Sequence, residues 1–354
     1  MPKIGSVGLG IPKYKYSQID TMNFVYQLFS NNVKDINRLI KVFQNGEIQT
    51  RYFVKDMVWF NENHTFAEKN NAFINEAIDL GIKAIENCLP DEDYGTIDAI
   101  FMVCTSGLAT PSIEARIMNK LPFKEDVKRI PIWGLGCAGG ASGLSRAYEY
   151  CLAFPQAKVI VLSIEICSLT FQKNDFSKSN LIGTSLFADG AACALVVGDE
   201  CEQIEYINKP IPAIYGTESR LMANSLDVMG WDFQDDGMHV IFSKDIPSIV
   251  EHWLKPNVES FLTKYDLRLS DISQFVAHPG GKKVVKAYEK ALQFPASKTE
   301  DAREVLNQFG NMSSPTIFYV LKRIMDSDVK SGEWGLAIAL GPGFSSEQLL
   351  MRWE

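Results

Sequence analysis

A cysteine, a histidine and an amide are the side chains of this 354-residue chain whose types and settings point to chemistry. Cys137 lies in Gly134-Leu135-Gly136-Cys137-Ala138-Gly139-Gly140-Ala141-Ser142-Gly143, where an apolar run ends and a helix is expected to begin. Unpaired N–H groups and the helix dipole at such a junction favour a thiolate, and glycines let a substrate approach the backbone. His278 heads His278-Pro279-Gly280-Gly281, and Asn311 stands in Gly310-Asn311-Met312-Ser313-Ser314. Cysteine with histidine in reach and an amide as third member is a recurrent plan for nucleophilic acyl chemistry. Each residue alone has a plainer reading: a buried small hydrophobe, a satisfied core histidine, a helix cap. The cysteine stretch also fits Gly-x-Gly-x-x-Gly at Gly134, Gly136 and Gly139, a dinucleotide-binding pattern for which Glu165 would serve as the acidic partner. That alternative gives Cys137, His278 and Asn311 no task.

Composition narrows the setting. A chain 46% hydrophobic and 22% charged is an ordinary globular protein, long enough for two core-bearing halves. A net charge of -8 argues against nucleic acid or an anionic membrane as partner, so an anionic ligand needs a local basic cluster. No apolar run reaches the length of a membrane span, and the first residues lack a signal-peptide pattern, so the protein is expected in the cytoplasm. The seven cysteines show no Cys-x-x-Cys spacing and the four histidines no His-Glu-x-x-His motif; neither a disulfide framework nor a metal site is expected.

The elements that must position these residues follow from periodicity. Helices are expected over 17–31, 34–45 (Gly46 as cap), 65–87, from 112, 137–153 and 246–264, and then to Leu292, over 301–309 and beyond Asn311. A turn is expected at Pro90-Asp91-Glu92-Asp93. Strands are expected at 97–103, 129–133, 158–166, 191–197, 272–277, 335–340 and 347–353, with an irregular β-rich connection up to Met238. Alternating strands and helices imply an α/β fold with a largely parallel sheet. Lys34, Arg38 and Lys41 form a basic stripe on the second helix, either a solvated face or a holder of phosphates. The strand leading into Cys104-Thr105-Ser106-Gly107 parallels the strand leading into His278, and the Cys137 helix start parallels Asn311, both about 175 residues on. A duplication would bring all three residues to the carboxyl ends of strands.

Trp133 to Gly140, Ala277 to Gly281, Phe309 to Ser314 and Gly341-Pro342-Gly343-Phe344, in this order, resemble the type III polyketide synthases, the chalcone synthase-like family. Cys104 to Ser112 and Ser168-Leu169-Thr170-Phe171 are most similar to its bacterial alkylpyrone and alkylresorcinol branch. The resemblance implies a thiolase-like five-layer αβαβα fold of two duplicated halves, 1–205 and 206–354, and a homodimer. It implies Cys137 as the acyl carrier beside a protonated His278, with His278 and Asn311 stabilising the enolate formed as malonyl-CoA decarboxylates. CoA thioesters are then substrates, and no cofactor is needed.

The resemblance further implies that Phe187 gates the cavity, that Thr105, Thr110, Cys167, Thr170, Val240 and Ser313 shape it, and that Gly341 to Phe344 form the cyclisation loop. Arg38 and Lys41 fall on CoA-phosphate positions; a third basic position is Asn45 here, and Lys282 and Lys283 are candidates for the missing charge. With Val240 aliphatic near the second gate, a less aromatic lining is expected, suited to medium or long acyl-CoA starters and two or three malonyl extensions. A single-condensation ketoacyl synthase of the same fold is the nearest rival.

Overall fold

The computed structural model describes residues 1–90, 94–201 and 209–354. The expected turn at residues 90–93, past Pro90, and the expected boundary between halves at 205/206 lie outside the described residues. In chain order the strands are β1 (Lys3–Gly10), β2 (Tyr14–Ser17), β3 (Thr50–Phe53), β4 (Ala99–Cys104), β5 (Lys128–Trp133), β6 (Lys158–Ile166), β7 (Asp189–Val197), β8 (Pro212–Leu221), β9 (Met229–Gln234), β10 (Gly237–Phe242), β11 (Ile272–Ala277), β12 (Trp334–Gly341) and β13 (Ser345–Trp353). The α-helices are α1 (Gln18–Phe29), α2 (Ile36–Leu39), α3 (Lys41–Asn45), α4 (Met57–Asn61), α5 (Phe66–Cys88), α6 (Ile113–Met118), α7 (Gly139–Ala153), α8 (Lys178–Leu186), α9 (Ile246–Ile249), α10 (Lys255–Thr263), α11 (Lys282–Leu292), α12 (Glu300–Phe309) and α13 (Thr316–Asp326). Ser17 with Asp20 and Thr65 with Glu68 form capping boxes that start α1 and α5.

Nine strands join in the order β11-β12-β13-β8-β1-β7-β6-β4-β5. The expectation of a largely parallel sheet is corrected: β4 runs parallel to β5 and β6, and β11 to β12, while the other pairs are antiparallel. The duplication is visible in this pattern. From β1 outward through β7 and β6 to β4, the pairings are antiparallel, antiparallel, parallel. From β8 outward through β13 and β12 to β11, the same three recur. The halves meet where Lys3 of β1 pairs with Ala213 of β8.

Both faces of the first-half strands are covered, which is why they read as continuous apolar runs. Ala99, Phe101 and Val103 enter one core and Ile100, Met102 and Cys104 the other, the period-two alternation of a strand divided between two layers. α5 covers β1, β6 and β7 on one side; on the other, α7 touches β4 and β6 as well as β12 and β13, and so lies between the halves. Its glycines make this possible. A Cβ at Gly140 would stand 2.3 Å from the carbonyl oxygen of Ser314, just ahead of α13, and one at Gly143 would stand 2.6 Å from Val161.

Several expected elements are redrawn. The helix over 34–45 is two short helices joined at Ile40, whose ψ of −20° tightens the turn; Gly46 is right-handed, and Glu47 takes the positive φ of 61°. The helix over 246–264 is interrupted by a π-helical turn at Val250–Leu254. β1 escaped the periodicity because Gly8 and Gly10 sit in it, pressed against the backbone of α5. α8 was hidden by Gly183, which abuts Val240 and Phe187. α13 starts at Thr316, so Asn311 begins no helix; it lies in an extended bridge to Phe187.

Candidate active site

Cys137 occupies a single 3₁₀ turn, Gly136–Ala138, that feeds directly into α7. Gly136 takes φ +47°, its N–H donates to Oγ1 of Thr105 at 3.0 Å, and a Cβ there would stand 2.8 Å from Pro342. The loop is thus clasped between the end of β4 and the turn after β12. A Cβ at Gly139 would meet Val103 at 2.6 Å. At two of the three glycines of the dinucleotide pattern, packing against the protein itself explains the glycine.

The thiol of Cys137 donates to Oγ of Ser313 at 3.4 Å. Ser313 adopts φ 60°, rare for a side-chain-bearing residue. Its N–H donates to Oδ1 of Asn311 at 2.8 Å, and Nδ2 of Asn311 donates to the carbonyl oxygen of Gly280 at 3.1 Å. Those two bonds fix the amide, and its remaining N–H is the one that serves the sulfur of Cys137. His278 extends β11, donating its backbone N–H to Ile338 at 2.9 Å. Its ring is 1% exposed, and neither nitrogen has a hydrogen-bond partner among the described residues.

The expected ion pair meets opposition from burial. Burial pushes the Cys137 thiol up to about 11; hydrogen bonds from Ser313 and Asn311 pull it down, and the charge of Glu165 adds to the rise. Burial alone takes His278 down to about 3. Burial by itself therefore favours the neutral form of both groups.

Glu165, which the sequence reading named only within the dinucleotide alternative it set aside, lies at the site. At the end of β6 and fully buried, its Oε2 accepts from the N–H groups of Thr105 (3.1 Å) and Ser106 (2.8 Å), and its Oε1 accepts from Oγ of Ser314 at 2.8 Å. One carboxylate thereby ties the loop after β4 to the loop before α13, beneath Cys137. Burial raises its pKa while those bonds lower it.

A cavity of about 50 Å³ is lined by Phe187, Cys167, Thr170 and Val240, by Arg51, and by Phe53 and other apolar residues; Thr105 and Ser313 do not line it. The expectation of a less aromatic wall is corrected. Trp231 stands 5.6 Å and Phe242 5.7 Å from the Phe187 ring, both brought in by the β9–β10 hairpin that the sequence reading left irregular. Thr110, expected at the cavity, is exposed beside its cis bond to Pro111. Gly341 to Phe344 turn β12 into β13; Phe344 is fully buried, and its N–H donates to Oγ of Ser225 at 2.5 Å.

Arg38 and Lys41 are both exposed, and Arg38 pairs with Asp35 at 3.3 Å. Lys282 reaches Glu47, two residues past Asn45, at 2.9 Å, so it lies next to the missing basic position with its charge shared; Lys283 is exposed.

The sequence matches the N-terminal domain of chalcone and stilbene synthases over residues 4–200 and their C-terminal domain over residues 214–353. The chain belongs to the chalcone and stilbene synthase family. This family member is a type III polyketide synthase, an acyltransferase with the thiolase-like fold. It is 51% identical to a chalcone synthase-like protein of Bacillus subtilis (strain 168), across 100% of this chain and 99% of the relative. It is 27% identical to the alpha-pyrone synthesis polyketide synthase-like Pks18 of Mycobacterium tuberculosis, over 98% of this chain and 90% of that one. The crystal structure of 1,3,6,8-tetrahydroxynaphthalene synthase from Streptomyces coelicolor A3(2) superposes with a TM-score of 0.91 at 24% identity, covering 99% of both chains.

Proposed function

We propose that this type III polyketide synthase loads a fatty acyl-CoA on Cys137, extends it two or three times with malonyl-CoA, and releases alkylpyrones by lactonisation, with alkylresorcinols as aldol products. The observation that carries the starter choice is the narrow cavity between Phe187 and the N-terminal elements, walled by Phe24, Val25, Phe53, Met57 and Phe60. Apolar walls suit the saturated chain of a fatty acyl starter. The relative named for α-pyrone synthesis supports the pyrone outcome.

In this reading His278 takes the proton of the Cys137 thiol, and the thiolate attacks the thioester carbon of the starter. CoA leaves as its thiolate and takes a proton from water, the acyl group stays on sulfur, and His278 keeps the thiol proton as an N–H donor. Malonyl-CoA then loses carbon dioxide, and its electron pair becomes an enolate whose oxygen accepts hydrogen bonds from His278 and from the Asn311 N–H that faced the thiol. The enolate carbon attacks the Cys137 thioester; a C–C bond forms, the C–S bond breaks, and the thiolate is the leaving group. Decarboxylation itself supplies the carbanion, so the chemistry calls for no cofactor.

Arg38 and Lys41, with Lys282 and Lys283 nearer the His278 turn, would hold the CoA phosphates. A homodimer fits the half-exposed Trp133 on edge strand β5, packed at 5.9 Å on Phe233. The reading places the enzyme in the cytoplasm, where its free thiols stay reduced. Incubation with malonyl-CoA and a panel of acyl-CoA starters, with product masses recorded, tests it. Turnover of aromatic starters alone would refute the fatty-acyl reading, and a single condensation on a carrier-protein substrate would point to the ketoacyl synthase rival.

A further inference from the structure

Arg51, on the short strand β3 outside the main sheet, is 1% exposed; the buried Asp189 favours its charge, but its hydrogen bonds go to carbonyl oxygens and an amide. Its Nη1 donates to the carbonyl oxygens of Thr184 (2.6 Å) and Phe187 (2.7 Å), and its Nε donates to Oε1 of Gln18 at 2.9 Å. Nε2 of Gln18 in turn donates to the carbonyl oxygen of Ser185 at 2.8 Å. Three carbonyls at the C-terminus of α8, where the helix dipole is negative, are thus held by one cation and the amide that orients it.

The same guanidinium lies beneath a crossing of two site segments. The N–H of Asn311 donates to Leu186 and the N–H of Ala188 donates to Asn311, each at 2.9 Å, so Phe187 and Asn311 share one backbone bridge. A Cβ at Gly310, the residue before Asn311, would stand 2.8 Å from Cγ of Arg51. The stem of Arg51 therefore fills the space under Asn311 while its head holds Phe187. Burying a cation whose Nη2 finds no partner costs stability that an apolar side chain would not. A buried cation retained at that cost is better explained by the geometry it imposes than by the stability it brings.

We infer that Arg51, oriented by Gln18, is a positioning residue that locks Phe187 and Asn311 into one rigid unit. It thereby controls both enolate formation at Asn311 and passage of the acyl chain past Phe187. The inference rests on the roles proposed above for Phe187 and Asn311.

The test uses the full-length enzyme with Arg51→Met, Arg51→Lys and Gln18→Met. It measures malonyl-CoA decarboxylation, product masses and thermal unfolding. Because small displacements of positioned groups are expensive in rate, Arg51→Met is expected to lower kcat for decarboxylation about tenfold or more, with KM for malonyl-CoA changed less than about twofold. Gln18→Met is expected to lower kcat by a smaller factor, Arg51→Lys to restore part of the loss, and the product masses of both methionine variants to shift. A lower melting temperature with unchanged kcat and products would overturn the inference, as would a rise in KM alone. Should Arg51→Met fail to fold, Gln18→Met decides by the same criteria. Wild-type enzyme and a Cys137→Ala control run in parallel, so an inactive wild type would count against the proposed reaction and not against Arg51.

Discussion

Sγ of Cys137 lies 3.4 Å from Oγ of Ser313, although the two are 176 residues apart and belong to different halves of the duplicated sheet. The contact exists because α7 and the segment before α13 approach until only glycine fits between them.

That approach makes Gly140 a sensitive position. A methyl group there would stand 2.3 Å from a backbone oxygen of Ser314, which cannot rotate away. Gly140→Ala is expected to cost about 1–3 kcal/mol of stability despite the better helix propensity of alanine. A melting curve checks this; an unchanged or raised Tm would contradict the packing account.

The free enzyme should show a thiol slow to ionise. Burial pushes the thiol up to about 11 and His278 down to about 3, so alkylation of Cys137 by iodoacetamide is expected to accelerate through alkaline pH, with no plateau near neutrality. The charge of Glu165 contributes to that rise, so in Glu165→Gln the inflection should move to lower pH. A wild-type inflection below pH 7 would show that a thiolate and imidazolium pair forms in spite of burial.

How much of this was legible in the sequence depends on the kind of interaction. Cys137, His278 and Asn311 stood out because each carries chemistry in a glycine- or serine-flanked segment, and long amphipathic α5 and buried β6 followed from periodicity. β1 and α8 were obscured by glycines whose purpose is close packing, which periodicity cannot express. The place of Glu165 at the site was missed, since the groups that donate to its carboxylate lie about 60 and 150 residues away. The aromatic neighbours of Phe187 were missed because the β9–β10 hairpin folds back from a stretch with no strong pattern.

The exposed cations Arg38 and Lys41 are expected to act on binding and not on chemistry. Arg38→Ala with Lys41→Ala should raise KM for CoA thioesters several-fold, about 1 kcal/mol for the pair, with kcat little changed and the effect shrinking at high salt. An equal fall in kcat would place them in the reaction instead.

Cys167 and Val240 line the narrow cavity, so filling it should shorten the accepted chain. Cys167→Phe is expected to shift preference toward short acyl-CoA starters by about tenfold in kcat/KM, as lost space in an apolar pocket typically does. A starter profile unchanged by this substitution would place the acyl chain elsewhere.

The central claim is that Cys137 carries the growing chain. Intact-protein mass after incubation with an acyl-CoA starter tests it most directly. The wild type should gain the mass of one acyl group, and folded Cys137→Ala should gain none and form no product. An adduct or extended product that persists in Cys137→Ala would contradict the account.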